Sequence, residues 1–222
     1  MLGQPIEISS NQNINASVIW MHGLGADGND FVPVVEMLDL PHIRFILPHA
    51  PYRKVTRNNG YEMRAWYDIY GLTPISREDA TGINESQLAI EALIAHEIKR
   101  GVPANRIVLA GFSQGGAIAL HTALRYPQVL AGVLALSTYL PLNSLLAAQK
   151  STANQQTPIF MAHGVDDTVI TMETCKASLA ILQAQSYRVD WHEYPMAHSV
   201  CIEEIADIQQ FLNAVLGDLA AE

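Results

Sequence analysis

Only two cysteines, Cys175 and Cys201, occur in the 222 residues, and neither belongs to a Cys-x-x-Cys pair. A disulfide framework and a thiolate zinc site are therefore not expected, and both thiols read as idle or buried. Positive charge is equally scarce: 13 lysines and arginines stand against 22 aspartates and glutamates, a formal charge of -9. Arg53, Lys54 and Arg57 form the nearest approach to a basic cluster, which gives no attraction for nucleic acid or anionic lipid. No uninterrupted apolar run approaches the ~20 residues of a membrane helix. The opening "MLGQPIEISSNQN" lacks the basic and apolar regions of a secretory signal. These absences set the expectation of a cytoplasmic protein with no stable membrane insertion. Linkers, internal repeats and low-complexity tracts are absent too, so residues 1–222 are expected to form one domain.

What is present is apolar. Hydrophobic residues make up 49% and charged residues only 16%, a balance that suits elements buried on both faces. Six short runs rich in β-branched and apolar residues recur at 17–22, 43–48, 106–112, 132–137, 158–163 and 187–194. Turns and longer helix-like segments follow them, the pattern of βα units feeding a parallel sheet. "PIEIS" near the start alternates and begins with proline, as an antiparallel edge strand does. Helices are expected at about 82–100, 115–125, 171–186 and 199–216, each from its apolar spacing. Between Pro48 and Thr81 no periodicity emerges, although "YEMRAWYDIYGL" gathers aromatics, and so long a loop in a compact domain is usually functional.

In a parallel sheet, ligands gather at the carboxyl ends of the strands. After the first parallel run comes "HGLGADG"; after 106–112 comes Ser113; after 158–163 come Asp166 and Asp167; after 187–194 comes His198. Ser113 sits in Gly111-Phe112-Ser113-Gln114-Gly115, and the chain order is serine, aspartate, histidine. The pentad and that order together form the α/β-hydrolase signature, in which the serine occupies a strained strand-to-helix turn. A free serine is a poor nucleophile, so it needs a base within reach, and that base needs an orienting carboxylate. Among the competing histidines, His121 points two turns down the serine's own helix and His192 lies inside a strand. His96 is near the end of an amphipathic helix, and His163 is placed to bond within its own loop. His198, between the last strand and the last helix, is the best-placed base. Spacing alone does not separate Asp166 from Asp167.

The glycines of "HGLGADG" expose backbone N–H groups where the second oxyanion donor of this fold usually arises, with Leu24 as the donor beside Gln114. Gln114 is expected to matter through its backbone N–H more than through its amide. The loop fits neither GxGxxG nor a phosphate-binding P-loop, so nucleotide is not expected. A metal site from His163, Asp166, Asp167 and His198 would leave Ser113 and its glycines without a use. No metal and no cofactor are expected.

The segments "HGLGADGNDF", "LPHAP", "MRAWYDI", "NRIVLAGFSQGGAIAL", "LALSTYLP", "HGVDDTVI" and "EYPMAHSV" together resemble the carboxylesterase and acyl-protein thioesterase family of serine α/β-hydrolases. The resemblance covers nearly the whole chain. It implies a mostly parallel central sheet with helices on both faces and no large lid domain. It implies Asp167 rather than Asp166 as the triad acid, with Ser113 and His198, and oxyanion donors on Leu24 and Gln114. The stretch from Trp66 to Leu72 matches the loop bordering the acyl site, so Trp66 and Leu72 are expected to bind substrate. Where many members carry proline after the triad aspartate, this chain has Thr168. Members often pair, so a homodimer is implied as well.

The expected activity is a carboxylesterase of broad small-to-medium acyl specificity, working through an acyl-enzyme on ester or thioester bonds. An acyl-protein thioesterase or a lysophospholipase is the alternative, and a non-catalytic binding module of the same fold is the rival from another class. The corresponding partners are a small-molecule ester, a lysophospholipid or an acylated protein.

Overall fold

The computed structural model describes residues 2–10, 14–71 and 77–217. A seven-stranded sheet runs in the order β1-β3-β2-β6-β7-β8-β9. Its strands are β1 (Ile6–Ile8), β2 (Ala16–Met21), β3 (Ile43–Leu47), β6 (Ile107–Phe112), β7 (Gly132–Leu136), β8 (Ile159–Gly164) and β9 (Val189–Tyr194). Only β1 is antiparallel, pairing Ile6 with Leu47 on β3, and every other neighbour is parallel. All six expected parallel runs are therefore strands, and the proline-led edge strand is antiparallel as read.

The parallel strands bury both faces, and their side chains alternate between two cores. Along β2, Ile19 and Met21 enter one cluster, while Ala16, Val18 and Trp20 enter the other. Helices α2 (Ala80–Lys99), α3 (Gln114–Ala123), α4 (Leu146–Gln149) and α5 (Met172–Ala184) cover the first face. The second is covered by α1 (Val32–Leu38) and α6 (Ile202–Leu216). Helix α2 begins two residues before the expected Gly82, because the Asp79 carboxylate caps the Gly82 N–H at 3.0 Å. It ends where Gly101 takes φ 98°, a left-handed conformation natural to glycine. Near that end Glu97 is fully buried and held by Arg44 at 2.8 Å, Arg100 at 2.9 Å and the Ser17 hydroxyl. Among the described residues, no helix is long and apolar enough to cross a membrane.

The stretch without periodicity contains structure. Strands β4 (Tyr52–Val55) and β5 (Tyr61–Arg64) form a separate antiparallel hairpin, turning through Asn59 at φ 56° and Gly60 at φ 73°. Four of the eight strand residues are exposed and only Val55 is buried, so the hairpin carries no apolar face to mark it in the sequence. The Asn59-Gly60 pair was the legible signal, since both positions need positive φ.

Candidate active site

Parallel pairing brings the carboxyl ends of β2, β6, β8 and β9 to one edge of the sheet. Ser113 follows β6 directly at φ 55° and ψ -121°, an unusual conformation for a residue with a side chain. The turn is fixed from three sides: the Ser113 N–H donates to the Leu136 carbonyl at 2.9 Å, its carbonyl accepts from Thr138 Oγ1 at 2.6 Å, and α3 starts at once. A side chain at Gly115 would collide with the Met21 carbonyl, and one at Gly111 would collide with the Gly115 backbone. Both positions need glycine because backbone passes where a Cβ would sit.

His198 lies in the loop between β9 and α6. Its Nε2 is 3.0 Å from Ser113 Oγ and its Nδ1 is 2.7 Å from Asp167 Oδ2. With the proton on Nδ1, the ring donates to the carboxylate and accepts from the serine hydroxyl. Asp167 is 6% exposed, and its other oxygen accepts the backbone N–H groups of Val169 at 2.8 Å and Ile170 at 2.9 Å. Asp166 is exposed. It is Asp167 that faces the imidazole, while α5 is capped by Thr171. The Phe112 ring packs against His198 with centroids 4.7 Å apart and limits the ring's movement.

The other histidines have separate uses. His163 is fully buried and bonds the Ile170 carbonyl at 2.8 Å, within its own loop as read, and burial lowers its pKa. His121 is buried, with its pKa pushed down to about 3 by desolvation. His192 lies on β9 and His96 is exposed on α2. Among the described residues, no group of three or more histidine, cysteine or acidic residues is arranged to hold a metal ion.

Above Ser113 opens a cavity of about 240 Å³ whose lining includes His198, Leu24, Gln114, Phe112, Tyr67 and Ile69. Neither the Leu24 nor the Gln114 backbone N–H is spent on an acceptor among the described residues. Two free N–H donors beside a hydroxyl, a base and a carboxylate form an arrangement able to attack a carbonyl and hold the resulting oxyanion.

One expectation needs correction. Trp66 does not border the cavity: it is fully buried one layer beneath, where its indole N–H donates to the His22 carbonyl at 2.9 Å. Its neighbours Tyr67 and Ile69 reach the wall instead. Leu72 lies outside the described residues. The Gln114 amide, expected to matter less than its backbone N–H, has a structural use: Oε1 accepts the Trp66 N–H at 2.7 Å and Nε2 donates to the Tyr67 carbonyl at 2.8 Å. His22, missed in the sequence, uses both nitrogens, one on the Gly23 carbonyl at 2.7 Å and the other accepting the Ala50 N–H at 3.0 Å. It stands immediately before the Gly23-Leu24 loop, and that position was the available clue.

Comparison with known proteins agrees with this architecture. The family model described as phospholipase/carboxylesterase matches residues 4–216. The chain is 40% identical to acyl-protein thioesterase 1 of Neurospora crassa over 97% of this chain and 93% of that protein. It is 40% identical to acyl-protein thioesterase 1 of Yarrowia lipolytica over 94% of this chain and 95% of that protein. Among solved structures, acyl-protein thioesterase 2 of Zea mays superposes with a TM-score of 0.88 at 28% identity, covering 97% of this chain and 100% of that one. The fold, the matched span and the relatives agree: the chain belongs to the phospholipase/carboxylesterase family of serine α/β-hydrolases.

Proposed function

We propose that this chain hydrolyses acyl thioesters and esters through an acyl-enzyme on Ser113, and that acylated protein is its substrate class. The observation that carries the chemistry is the unbroken hydrogen-bonded line from Asp167 through His198 to Ser113, ending beside two unspent N–H groups. The substrate class rests on the two 40%-identical relatives, both acyl-protein thioesterases. They shift the weight from the small-ester reading of the sequence to its alternative.

In the proposed cycle, Ser113 Oγ attacks the acyl carbonyl while His198 Nε2 takes its proton. Asp167 holds Nδ1–H and stabilises the imidazolium that forms. The oxyanion forms between the N–H groups of Leu24 and Gln114. His198 then protonates the departing thiolate or alkoxide, and water, deprotonated by the same imidazole, releases the acid. A second reading, hydrolysis of small esters, is favoured by the cavity over Ser113, whose 240 Å³ falls below the roughly 300–1,000 Å³ of ordinary small-molecule sites.

A fluorophosphonate probe should label Ser113 in the folded protein, and an S-acylated peptide should lose its acyl group. Ser113→Ala should abolish labelling and lower kcat by roughly 10⁶. A folded protein that takes no label would instead mark a non-catalytic binding module.

A further inference from the structure

One buried histidine beside the triad has no part in the proposed cycle. His163 stands next to last on β8, and its side chain is fully buried. Its Nε2 lies 2.8 Å from the Ile170 carbonyl, which can only accept, so Nε2 carries the proton and donates. The same nitrogen stands 3.5 Å from Asp167 Oδ2, the oxygen that takes the His198 Nδ1–H at 2.7 Å. Ile170 is thereby tied twice, through its carbonyl to His163 and through its N–H, at 2.9 Å, to the other Asp167 oxygen. A closed ring of contacts runs from His163 to Ile170, on to Asp167 and back to His163.

We infer that His163 is a positioning residue, whose neutral Nε2–H holds the Asp167 carboxylate turned toward His198 without taking its charge. The inference rests on the acyl-hydrolase reading above. Among the described residues no lysine or arginine pairs with Asp167, and its ion-pair partners are the two histidines. A fixed cation at that point would compete with His198 for the carboxylate, whereas an N–H dipole orients the group and leaves its charge for the imidazolium. The surroundings keep His163 neutral. Its Nδ1 is buried and finds no hydrogen-bond partner among the described residues, so a second proton there would be a stranded buried charge. Desolvation lowers the pKa of His163, and the charge of a protonated His198 acts the same way against the opposing pull of the Ile170 carbonyl, Asp167 and Glu193.

The test reads both charge and rate. In the full chain with nitrogen-15-labelled histidine, His163 should stay neutral with its proton on Nε2 from about pH 5 to 8. Its Nε2 resonance should nevertheless shift with the midpoint of His198, because both rings face the same carboxylate oxygen. A histidine that served only to tie Ile170 would not follow. A resonance that stays fixed while His198 titrates overturns the inference, and so does a His163 that takes up its own proton above about pH 6. His163→Leu removes the donor and should lower kcat for p-nitrophenyl butyrate about thirtyfold, well short of the ~10⁴ for disabling the aspartate outright. With Asp167 less well aimed, the His198 imidazolium loses stabilising charge, and the acid limb of the kcat/KM profile should move down by about one pH unit. His163→Gln keeps an N–H at similar reach and should return kcat to within about threefold of the parent and the acid limb to its place. A folded leucine variant as fast as the parent, a slower one whose acid limb is unmoved, or a folded glutamine variant as slow as the leucine one overturns the inference. The resonance measurement uses the parent chain and stands even where a variant fails to fold. Fluorophosphonate labelling of Ser113 reports on the acyl-hydrolase reading separately, so the two failures are distinguishable.

Discussion

Two walls serve the cavity. One lines it and is made by the ends of β6 and β8 and the loops after β2 and β9; the other stands behind it, the buried supporting layer of His22, Ala50 and Trp66. On the first wall, functional groups are left unspent or poised: the Ser113 hydroxyl, one imidazole nitrogen and the N–H groups of Leu24 and Gln114. On the second, every polar group at the centre is consumed. The Trp66 N–H, carbonyl and indole are bonded to Gln114, Ser86 and His22, and both His22 nitrogens are engaged. The first wall holds its geometry by backbone strain and close packing at glycine, the second by hydrogen bonding. Damage to the first should therefore cost rate while sparing the fold, and damage to the second should cost stability first.

The sharpest test is Asp167→Asn. The amide oxygen still accepts from Val169 and Ile170, so the loop keeps its form. The amide nitrogen, however, now faces His198 Nδ1 and favours the tautomer with its proton on Nε2, pointed at Ser113. An imidazole in that state accepts no proton from serine, and kcat should fall by about 10⁴. Urea denaturation should move little. A loss of less than tenfold, or a protein that no longer folds, would break the comparison.

Trp66→Phe tests the opposite wall. It leaves the His22 carbonyl buried without its donor and opens space beside the smaller ring, for a combined cost of about 2–4 kcal/mol in urea unfolding. The His22 carbonyl precedes the Gly23-Leu24 loop, so the Leu24 donor should shift and kcat should fall by about tenfold. That is less than the ~10²–10³ expected for losing an oxyanion donor outright. A catalytic loss as large as that of Asp167→Asn, without a change in stability, would show that Trp66 belongs with the chemistry.

The two walls also differed in how far they could be read from sequence. Ser113, His198 and the aspartate pair each follow a β-branched strand, so hydrophobic pattern and chain order were enough to place them. Choosing Asp167 over Asp166 took family resemblance, because direction around a tight loop is not written in spacing. The physical reason appears in the fold, where the Val169 and Ile170 N–H groups turn one carboxylate oxygen inward and leave the other to His198. The supporting wall left almost no trace in the sequence. β4 and β5 bury too little to show alternation, and a hydrogen bond from Gln114 to a backbone 48 residues away in sequence has no local signature. Trp66 was singled out through the resemblance of its loop to one bordering an acyl site, yet what determines its place is a donor, the indole N–H.

The mildest perturbation of the supporting wall is acid. His22 donates from one nitrogen and accepts at the other, a pairing available only to the neutral ring, and burial holds its pKa down at about 4. The unfolded chain takes up this proton near pH 6.5, whereas the folded chain resists it until about pH 4. Stability from His22 is therefore fully present above pH 6.5 and declines as pH falls toward 4, by about 2 kcal/mol between pH 6.5 and 5. His121 and His163, also lowered by desolvation, act in the same direction and steepen the decline. Urea midpoints at pH 7.5, 6.5 and 5 should trace it. His22→Gln keeps an acceptor for the Ala50 N–H but cannot bind a proton in this range, so it should flatten the slope by about one proton. An unchanged slope would mean that His22 is protonated in the folded state, and the neutral, fully bonded wall set against the catalytic one would not exist. The contrast with His198 gives the test its force: that ring must take and return a proton in every proposed turnover, whereas His22 holds the Gly23-Leu24 loop only by refusing one.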